Sequence, residues 1–204
     1  RRHCDDKKME PVSLTDEIEY IVALSTYGNI EANNGEIHTL ADAMLPIFDV
    51  PDSVGARKIL NDKEKLILKI RDDVARCSER VGNMHKRKFE LFVAKGSTRI
   101  WTVADKFRKT DLKTNSENSY PMQYVKLFLE ILRTSFDVVV IDLNPNADAM
   151  NRDFCLHSDC ILVPTFPFLP IKSFNELINR VTIDWPKLAM KRNIPLYQIA
   201  PMVV

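Results

Sequence analysis

Glycine is scarce in this chain of 204 residues, with five copies where an average composition gives about fourteen. Phosphate-binding loops are usually built from glycines, because their backbone amides must come close to the phosphate groups. The sequence contains neither G-x-x-x-x-G-K-[ST] nor G-x-G-x-x-G. The two common phosphate-binding signatures are therefore excluded.

Cysteine and histidine are also thinly spread, with four of each. Cys155 and Cys160 form the one close cysteine pair, and no second pair or His-x-x-x-His lies nearby to complete a zinc site. The sequence lacks H-E-x-x-H and G-x-S-x-G as well, so zincin and serine-hydrolase chemistry have no support. We expect structural thiols in a reducing, cytoplasmic compartment.

Long apolar runs are missing too. The longest unbroken aliphatic runs, such as Val138 to Ile141, are far too short to cross a bilayer. The charged first residues are not followed by the apolar segment of a signal peptide. The sequence starts at Arg1 without a methionine. With 45% hydrophobic and 28% charged residues, residues 1–204 are predicted to form one soluble domain that is incomplete at both ends.

The net charge of +1 hides an uneven distribution. Residues 51–110 hold 16 Lys and Arg against 8 Asp and Glu, whereas the rest of the chain holds 13 against 20. This basic segment is a candidate surface for DNA phosphates that binds without sequence preference. The alternative is a solvated helical face with its flanking loop. The candidate DNA contacts are Arg80, Lys86, Arg87 and Lys88.

The N-terminal part, residues 1–83, is predicted to be helical. Its predicted helices span 13–24, 38–48 and 61–82, with a loop over 27–36. The second helix is expected to be capped by Thr39 and to stop near Pro46. Apolar residues at spacings of three and four mark the core-facing stripe of the third, namely Ile67, Ile70, Val74, Cys77 and Val81.

The C-terminal part, residues 84–204, alternates strands with helices. The predicted strands are 89–94, 136–142, 160–163 and one within 195–204. The predicted helices are a segment ending at Phe107, one starting at Pro121, then 147–157 and 173–184, with a polar break over 109–119. This alternation predicts an α/β fold with a mostly parallel sheet and helices on both faces. Function in such sheets gathers at the carboxyl ends of the strands.

Asp142 is the most informative single residue, because it directly follows the aliphatic run and precedes a Leu-Asn-Pro turn. A carboxylate at the end of a strand can meet a metal ion, a water molecule or a phosphoryl group. The alternative is that Asp142 caps the following helix or hydrogen-bonds the turn.

The stretch FDVVVIDLNPNADAMNRDFCLHSDCILVPTFPFLPIKSFNELINRV resembles the second half of the ParA/MinD-type ATPases, the deviant-Walker partition and positioning proteins. FELFVAKGS and HTLADAML are weaker matches to the first half. The resemblance implies a P-loop NTPase-like α/β fold. Its features, in order, are Ile141-Asp142, Asn144-Pro145, Ser158-Asp159, Ile161 to Pro164, and the helix from Phe174 to Val181.

The resemblance also implies a function, namely a homodimer on Mg²⁺-ATP that binds DNA non-specifically. It implies ATP hydrolysis stimulated by a ParB-like partner, a nucleoid-associated location and no membrane contact. Asp142 would match the family's switch aspartate, which makes it the implied catalytic and magnesium-holding residue. The implied nucleotide-binding residues are Asn144, Pro145, Pro164 and Thr165.

The sequence departs from the family, because the lysine-bearing phosphate loop and the D-x-D-P motif are missing and no strand is predicted before Ser13. Two explanations stay open. Either the ATP-binding segment lies outside this chain, or the chain is a degenerate relative that serves as an interaction module. A third alternative is a receiver-type phosphoacceptor domain with Asp142 and Thr165 at successive strand ends. However, its acidic pair and its final lysine are not visible.

Overall fold

The computed structural model describes residues 18–26, 28, 39–48, 58, 62–80, 89–113, 120–144, 148–163, 175–176, 178–191 and 201–203. The strands are β1 (Tyr20–Ser25), β2 (Ser78–Arg80), β3 (Glu90–Ala94), β4 (Val138–Asp142), β5 (Ile161–Val163) and β6 (Pro201–Val203). The helices are α1 (Leu40–Phe48), α2 (Lys63–Cys77), α3 (Ile100–Lys113), α4 (Tyr120–Arg133) and α5 (Ala149–Leu156), and a π-helical segment (Arg180–Asp184) runs into α6 (Trp185–Lys191).

Strand β1 lies in the middle of the main sheet. It pairs in parallel with β3 on one side and with β4 on the other, and β2 adds an antiparallel strand beyond β3. Strands β5 and β6 form a parallel pair of their own. The structure is thus an α/β protein with a three-stranded parallel sheet flanked by helices, which confirms the predicted class.

The central position of β1 corrects the sequence prediction, which extended a helix over 13–24. Val22 and Leu24 are fully buried and alternate with less buried neighbours, as a strand requires. The carboxylate of Asp137, just before β4, accepts hydrogen bonds from the backbone amides of Glu19 and Tyr20 at 2.9 and 2.8 Å. Pairing with two strands that are distant in sequence overrides the local helical pattern.

Two helices end elsewhere than predicted. Helix α2 ends at Cys77, and the chain continues as β2, although a helix to Gly82 was predicted. Helix α3 runs to Lys113 through the first part of the predicted polar break. An ion pair between Asp105 and Lys109, one turn apart at 2.6 Å, supports that extension. The buried stripe Ile70, Val74 and Cys77 is confirmed, whereas Val81 lies outside the described residues.

Two prolines fail to end the helices in which they lie. Helix α1 starts after Thr39, as predicted, but passes Pro46 and ends at Phe48. The helix predicted to end at residue 184 continues to Lys191 through Pro186. Proline has no amide hydrogen and crowds the carbonyl one turn earlier. The wider π-helical turn just before Pro186 accommodates this defect. Ser173, the predicted cap of that helix, lies outside the described residues.

The remaining predicted elements of the C-terminal part are confirmed with small shifts at their ends. They are β3, β4, β5, β6, α4 and α5. Helix α4 begins around Pro121 and buries its predicted stripe of Val125, Phe128, Leu129 and Leu132.

The described core lies between the helices and one face of the sheet. Val22 and Leu24 belong to the same core cluster as Phe107, Tyr124 and Phe128, and all five have no exposed surface. Neighbouring strands present their side chains to the same face, since Val22 is in register with Phe92 and Val139. This packing fixes the three parallel strands, so that their carboxyl ends lie along one edge.

Candidate functional site at the carboxyl edge of the sheet

Three strand ends meet at one edge, which we call the carboxyl edge. Leu24 in β1 is in register with Ala94 in β3, and Ser25 in β1 is in register with Asp142 in β4. The residues that follow these strands, from Thr26, Lys95 and Leu143 onward, therefore lie close together. Helices α1, α3 and α5 begin near this edge, and exposed helix N-termini can bind anions.

The ends of β1 and β4 are joined by the hydroxyl of Thr26. This hydroxyl donates to the Asp142 carbonyl and accepts from the Asn144 amide, both at 2.9 Å. The side-chain amide of Asn151 in α5 donates to the carbonyl and the Oδ1 of Asn144, also at 2.9 Å. We call these three residues, Thr26, Asn144 and Asn151, the neutral network. It is buried and holds α5 against the end of β4.

Two of the predicted site residues lie here but play different parts. Asn144, a predicted nucleotide contact, is 5% exposed and belongs to the neutral network. Asp142, the predicted magnesium residue, has an exposed side chain. Asp148, rather than Asp142, caps the following helix, because its Oδ1 accepts the Asn151 amide at 2.8 Å. Burial raises the pKa of the Asp148 carboxyl, partly offset by hydrogen bonds from backbone amides.

The N-terminus of α1 is tied to the loop that follows β3. Thr39 caps the helix and donates from its hydroxyl to Asp42 Oδ2 at 2.7 Å. The amides of Asp42 and Ala43 donate to the Thr39 carbonyl at 3.1 and 3.2 Å, and the Leu40 amide donates to the Lys95 carbonyl at 2.9 Å. Protein acceptors therefore already hold three of the first amides of this helix.

An ion pair closes the same end of α1. The Asp42 side chain, 4% exposed, accepts from the guanidinium of Arg99, which is 47% exposed and lies just before α3. The hydroxyls of Thr39 and Ser97 lie 3.2 Å apart beside it. We call these four residues, Thr39, Asp42, Ser97 and Arg99, the charged network. It places a buried negative charge next to the α1 N-terminus.

Gly28 and Gly96 bring the loops after β1 and β3 into direct backbone contact. A Cβ atom on Gly28 would lie 2.3 Å from the carbonyl oxygen of Gly96. That distance is far inside van der Waals contact, so only glycine fits at position 28 without a shift of the backbone.

These contacts decide how well the edge suits a phosphate or a metal ion. A phosphate at the α1 N-terminus would have to take the Leu40 amide from Lys95 and would face the Asp42 carboxylate. The described residues therefore do not form a phosphate cradle there. Asp142 offers a single carboxylate, and the described part of the chain contains no group of three side chains suited to hold a metal.

The other predicted site residues are less informative. Arg80, the one described candidate for DNA contact, is exposed and forms an ion pair with Glu90 across β2 and β3. The rest lie outside the described residues, namely Pro145, Pro164, Thr165, Lys86, Arg87 and Lys88. Within the described ranges, no helix has the length and hydropathy needed to cross a membrane.

Sequence reasoning missed most of the polar residues that meet at this edge. Thr26 could be recognised only if β1 were known to be a strand. Asp42 carried a usable signal, because Thr39-x-x-Asp42 is a capping pattern at a helix start. Arg99 carried none, since its partner lies 57 residues earlier.

Comparison with known proteins supports the fold. No protein-family model matches the chain, and no curated protein matches its sequence. A structure described as a partition protein superposes with a TM-score of 0.52 at 14% identity, covering 91% of this chain and 45% of its own. A Corynebacterium diphtheriae protein from structural genomics gives a TM-score of 0.50 at 14% identity, covering 86% of this chain and 59% of its own.

This chain therefore has a partition-protein-like α/β fold. It spans about half the length of these two structures, 45% and 59%. At 14% identity the likeness concerns the fold alone.

Proposed function

We propose that this protein is a partition-related interaction module, which has the sheet of the deviant-Walker proteins but acts through macromolecular contacts instead of a nucleotide cycle. The observation that supports this most directly is the hydrogen bond from the Leu40 amide to the Lys95 carbonyl. That amide begins α1, the first described helix after β1. In phosphate-binding loops, amides at this position hold the phosphate.

Electrostatics argues in the same direction. An incoming phosphate would meet the carboxylate of Asp42, whose neutralising partner Arg99 is already engaged. The segment from Thr26 to Thr39 contains no lysine or arginine that could take over. Phosphate binding here would require breaking the charged network.

The presence of β1 also bears on the two explanations left open by the sequence. The chain supplies its own central parallel strand, β1, where the sequence predicted a helix, and α1 is the next described helix. A first strand, which the local sequence pattern did not predict, is therefore present. This favours a degenerate relative over a chain that lacks this part of the fold.

Partners follow from the resemblance and remain part of the proposal. We propose non-specific DNA binding through the basic segment, a ParB-like protein partner and a homodimeric assembly. The residues proposed for DNA are Arg80, Lys86, Arg87 and Lys88. Scattered lysines and arginines without a base-reading motif imply binding that weakens steeply with salt.

A second candidate function is a Mg²⁺-ATP switch, favoured by one specific observation. The carboxylate of Asp142 is exposed at the carboxyl end of β4, adjacent to Ser25 at the end of the central strand. In this function Asp142 would hold magnesium through water, and Asn144, Pro145, Pro164 and Thr165 would line the nucleotide. Such a switch would hydrolyse ATP, with transfer of the terminal phosphoryl group to water.

Thermal unfolding with and without Mg²⁺-ATP separates the two functions. A ligand that binds the native state raises the midpoint temperature of unfolding by mass action. The interaction module predicts an unchanged midpoint. The matched control is Asp72→Ala, which replaces an exposed aspartate on α2. If the midpoint rises in wild type and in this control but not in Asp142→Ala, the ATP switch replaces the interaction module as the proposed function. A rise that persists in both variants also contradicts the module and assigns nucleotide binding to other residues.

A further inference from the structure

One face of α3 carries a large aromatic side chain that the core does not use. Trp101 is 49% exposed, whereas the other tryptophan, Trp185, is 8% exposed. The opposite side of α3 is buried in the core through Ile100, Val103, Ala104 and Phe107. Trp101 therefore points outward from the first turn of the helix, close to Arg99 and the carboxyl edge.

The charges on the same face are held in place. One face of the helix carries four residues at spacings of three and four. Asp105 lies four residues after Trp101 and four before Lys109, and Arg108 lies three residues after Asp105. Asp105 accepts from Arg108 at 2.8 Å and pairs with Lys109 at 2.6 Å. Hydrogen bonds from Lys109 and Arg108 lower the pKa of Asp105. Two cations and one anion give this α3 face a net positive charge.

We infer that the α3 face docks an acidic, amphipathic segment of a partner protein, with Trp101 as its apolar anchor. The inference rests on the proposed role as an interaction module, for which it names the surface and the partner chemistry. Tryptophan and arginine dominate the binding energy of many protein interfaces. The net positive charge selects an acidic partner and speeds its approach.

The position of Asp105 favours a protein over a nucleic acid. Surfaces that bind nucleic acids are much more positively charged than those that bind proteins. A phosphate backbone laid along the α3 face would pass the Asp105 carboxylate between Trp101 and Arg108. A peptide can instead place a lysine or a serine at that point and acidic residues beside Arg108 and Lys109.

Isothermal titration calorimetry of the whole chain with a synthetic helical peptide of glutamate, leucine and alanine tests the inference. Wild type should bind the peptide, and Trp101→Ala should weaken binding about tenfold or more. Leu68→Ala removes a similarly exposed apolar side chain on α2, and this control should bind like wild type. Circular dichroism checks that all variants are folded.

Three outcomes overturn the inference. The first is that wild type does not bind the peptide, and the second is that Trp101→Ala and Leu68→Ala lose equal affinity for it. The third is that wild type binds an oligothymidylate of about fifteen nucleotides, the length of a single-strand site, more tightly than the peptide and through Trp101. The last would assign the α3 face to single-stranded nucleic acid. The Mg²⁺-ATP experiment is an independent test. If Mg²⁺-ATP raises the unfolding midpoint while the peptide still binds, the proposed function is wrong but the docking role of the α3 face stands.

Discussion

The neutral network and the charged network lie at the same edge of the sheet but hold it together by different chemistry. Thr26, Asn144 and Asn151 use uncharged groups, with hydrogen bonds of 2.9 Å between β1, β4 and α5. Asp42 and Arg99 instead join α1 to the start of α3 by an ion pair, with one partner buried and the other half-exposed.

The difference shows which contacts at this edge only stabilise the fold and which also affect ligand binding. A buried neutral network costs stability when any one member is lost, because its partner is left without a hydrogen bond. A buried carboxylate also needs its cation, and it repels other anions. The neutral network is therefore a structural joint, whereas the charged network additionally determines which ligands the edge accepts. Four substitutions measure how strongly the loops and the neutral network are held, and compare them with a buried charge away from both networks and with an exposed carboxylate at the edge.

Gly28→Ala should have the largest effect. Its new methyl group would lie 2.3 Å from the Gly96 carbonyl oxygen, so the two loops that carry the networks must move apart. We expect a loss of about 3 kcal/mol, as for severe overpacking. Urea unfolding measures it. An unchanged midpoint would mean that the loops are not held in contact.

Thr26→Val should cost about 2 kcal/mol, because it leaves the buried Asn144 amide without its hydroxyl acceptor, whereas the Asp142 carbonyl keeps the backbone amide of residue 26 at 3.0 Å. The control is Thr182→Val, whose exposed hydroxyl bonds the Ile178 carbonyl within one helix. We expect urea unfolding to separate the two variants clearly. Equal losses would show that the neutral network is no stronger than an exposed helical hydrogen bond.

Asp73→Asn tests a buried charge away from both networks. Asp73 is 3% exposed, its Oδ2 has no hydrogen-bond partner among the described residues, and Arg76 lies 3.9 Å away. Burial raises the pKa of this carboxyl, partly offset by Lys69 and Arg76. The folded state therefore binds the proton more tightly than the unfolded state does.

The stability that Asp73 contributes is fully present below its unfolded pKa and is lost as the pH rises through its folded pKa. We expect Asp73→Asn to be more stable than wild type at neutral pH by about 1 kcal/mol. The gap should shrink as the pH falls toward 4. Unfolding curves over this range measure it, and a gap independent of pH would contradict a buried, ionised Asp73.

Asp142→Ala should have the smallest effect on folding, below about 0.5 kcal/mol, because the side chain is exposed. Only the Asp142 backbone carbonyl takes part in the neutral network, and alanine keeps it. Thermal unfolding without ligand measures this. A large loss would mean that the carboxylate has a structural role at the end of β4.

Elements whose pattern matches their surroundings could be predicted from the sequence. The aliphatic run before Asp142 is a strand, Thr39 caps a helix, and α4 begins near Pro121 with its predicted buried stripe. Elements that depend on distant partners could not. Strand β2 forms only because Ser78 to Arg80 pair with β3, and α2 would otherwise have no reason to stop at Cys77.

The alternation of strands and helices in the C-terminal part, and the placement of Asp142 at the end of a strand, could be predicted from the amino-acid sequence. Both follow from hydrophobic periodicity and turn residues, which act over a few positions. The central position of β1 and the closing of the α1 end by Lys95 and Arg99 depend on tertiary contacts. Strand pairing and the Asp42–Arg99 ion pair join residues far apart in the chain, so no local pattern of residues could specify them.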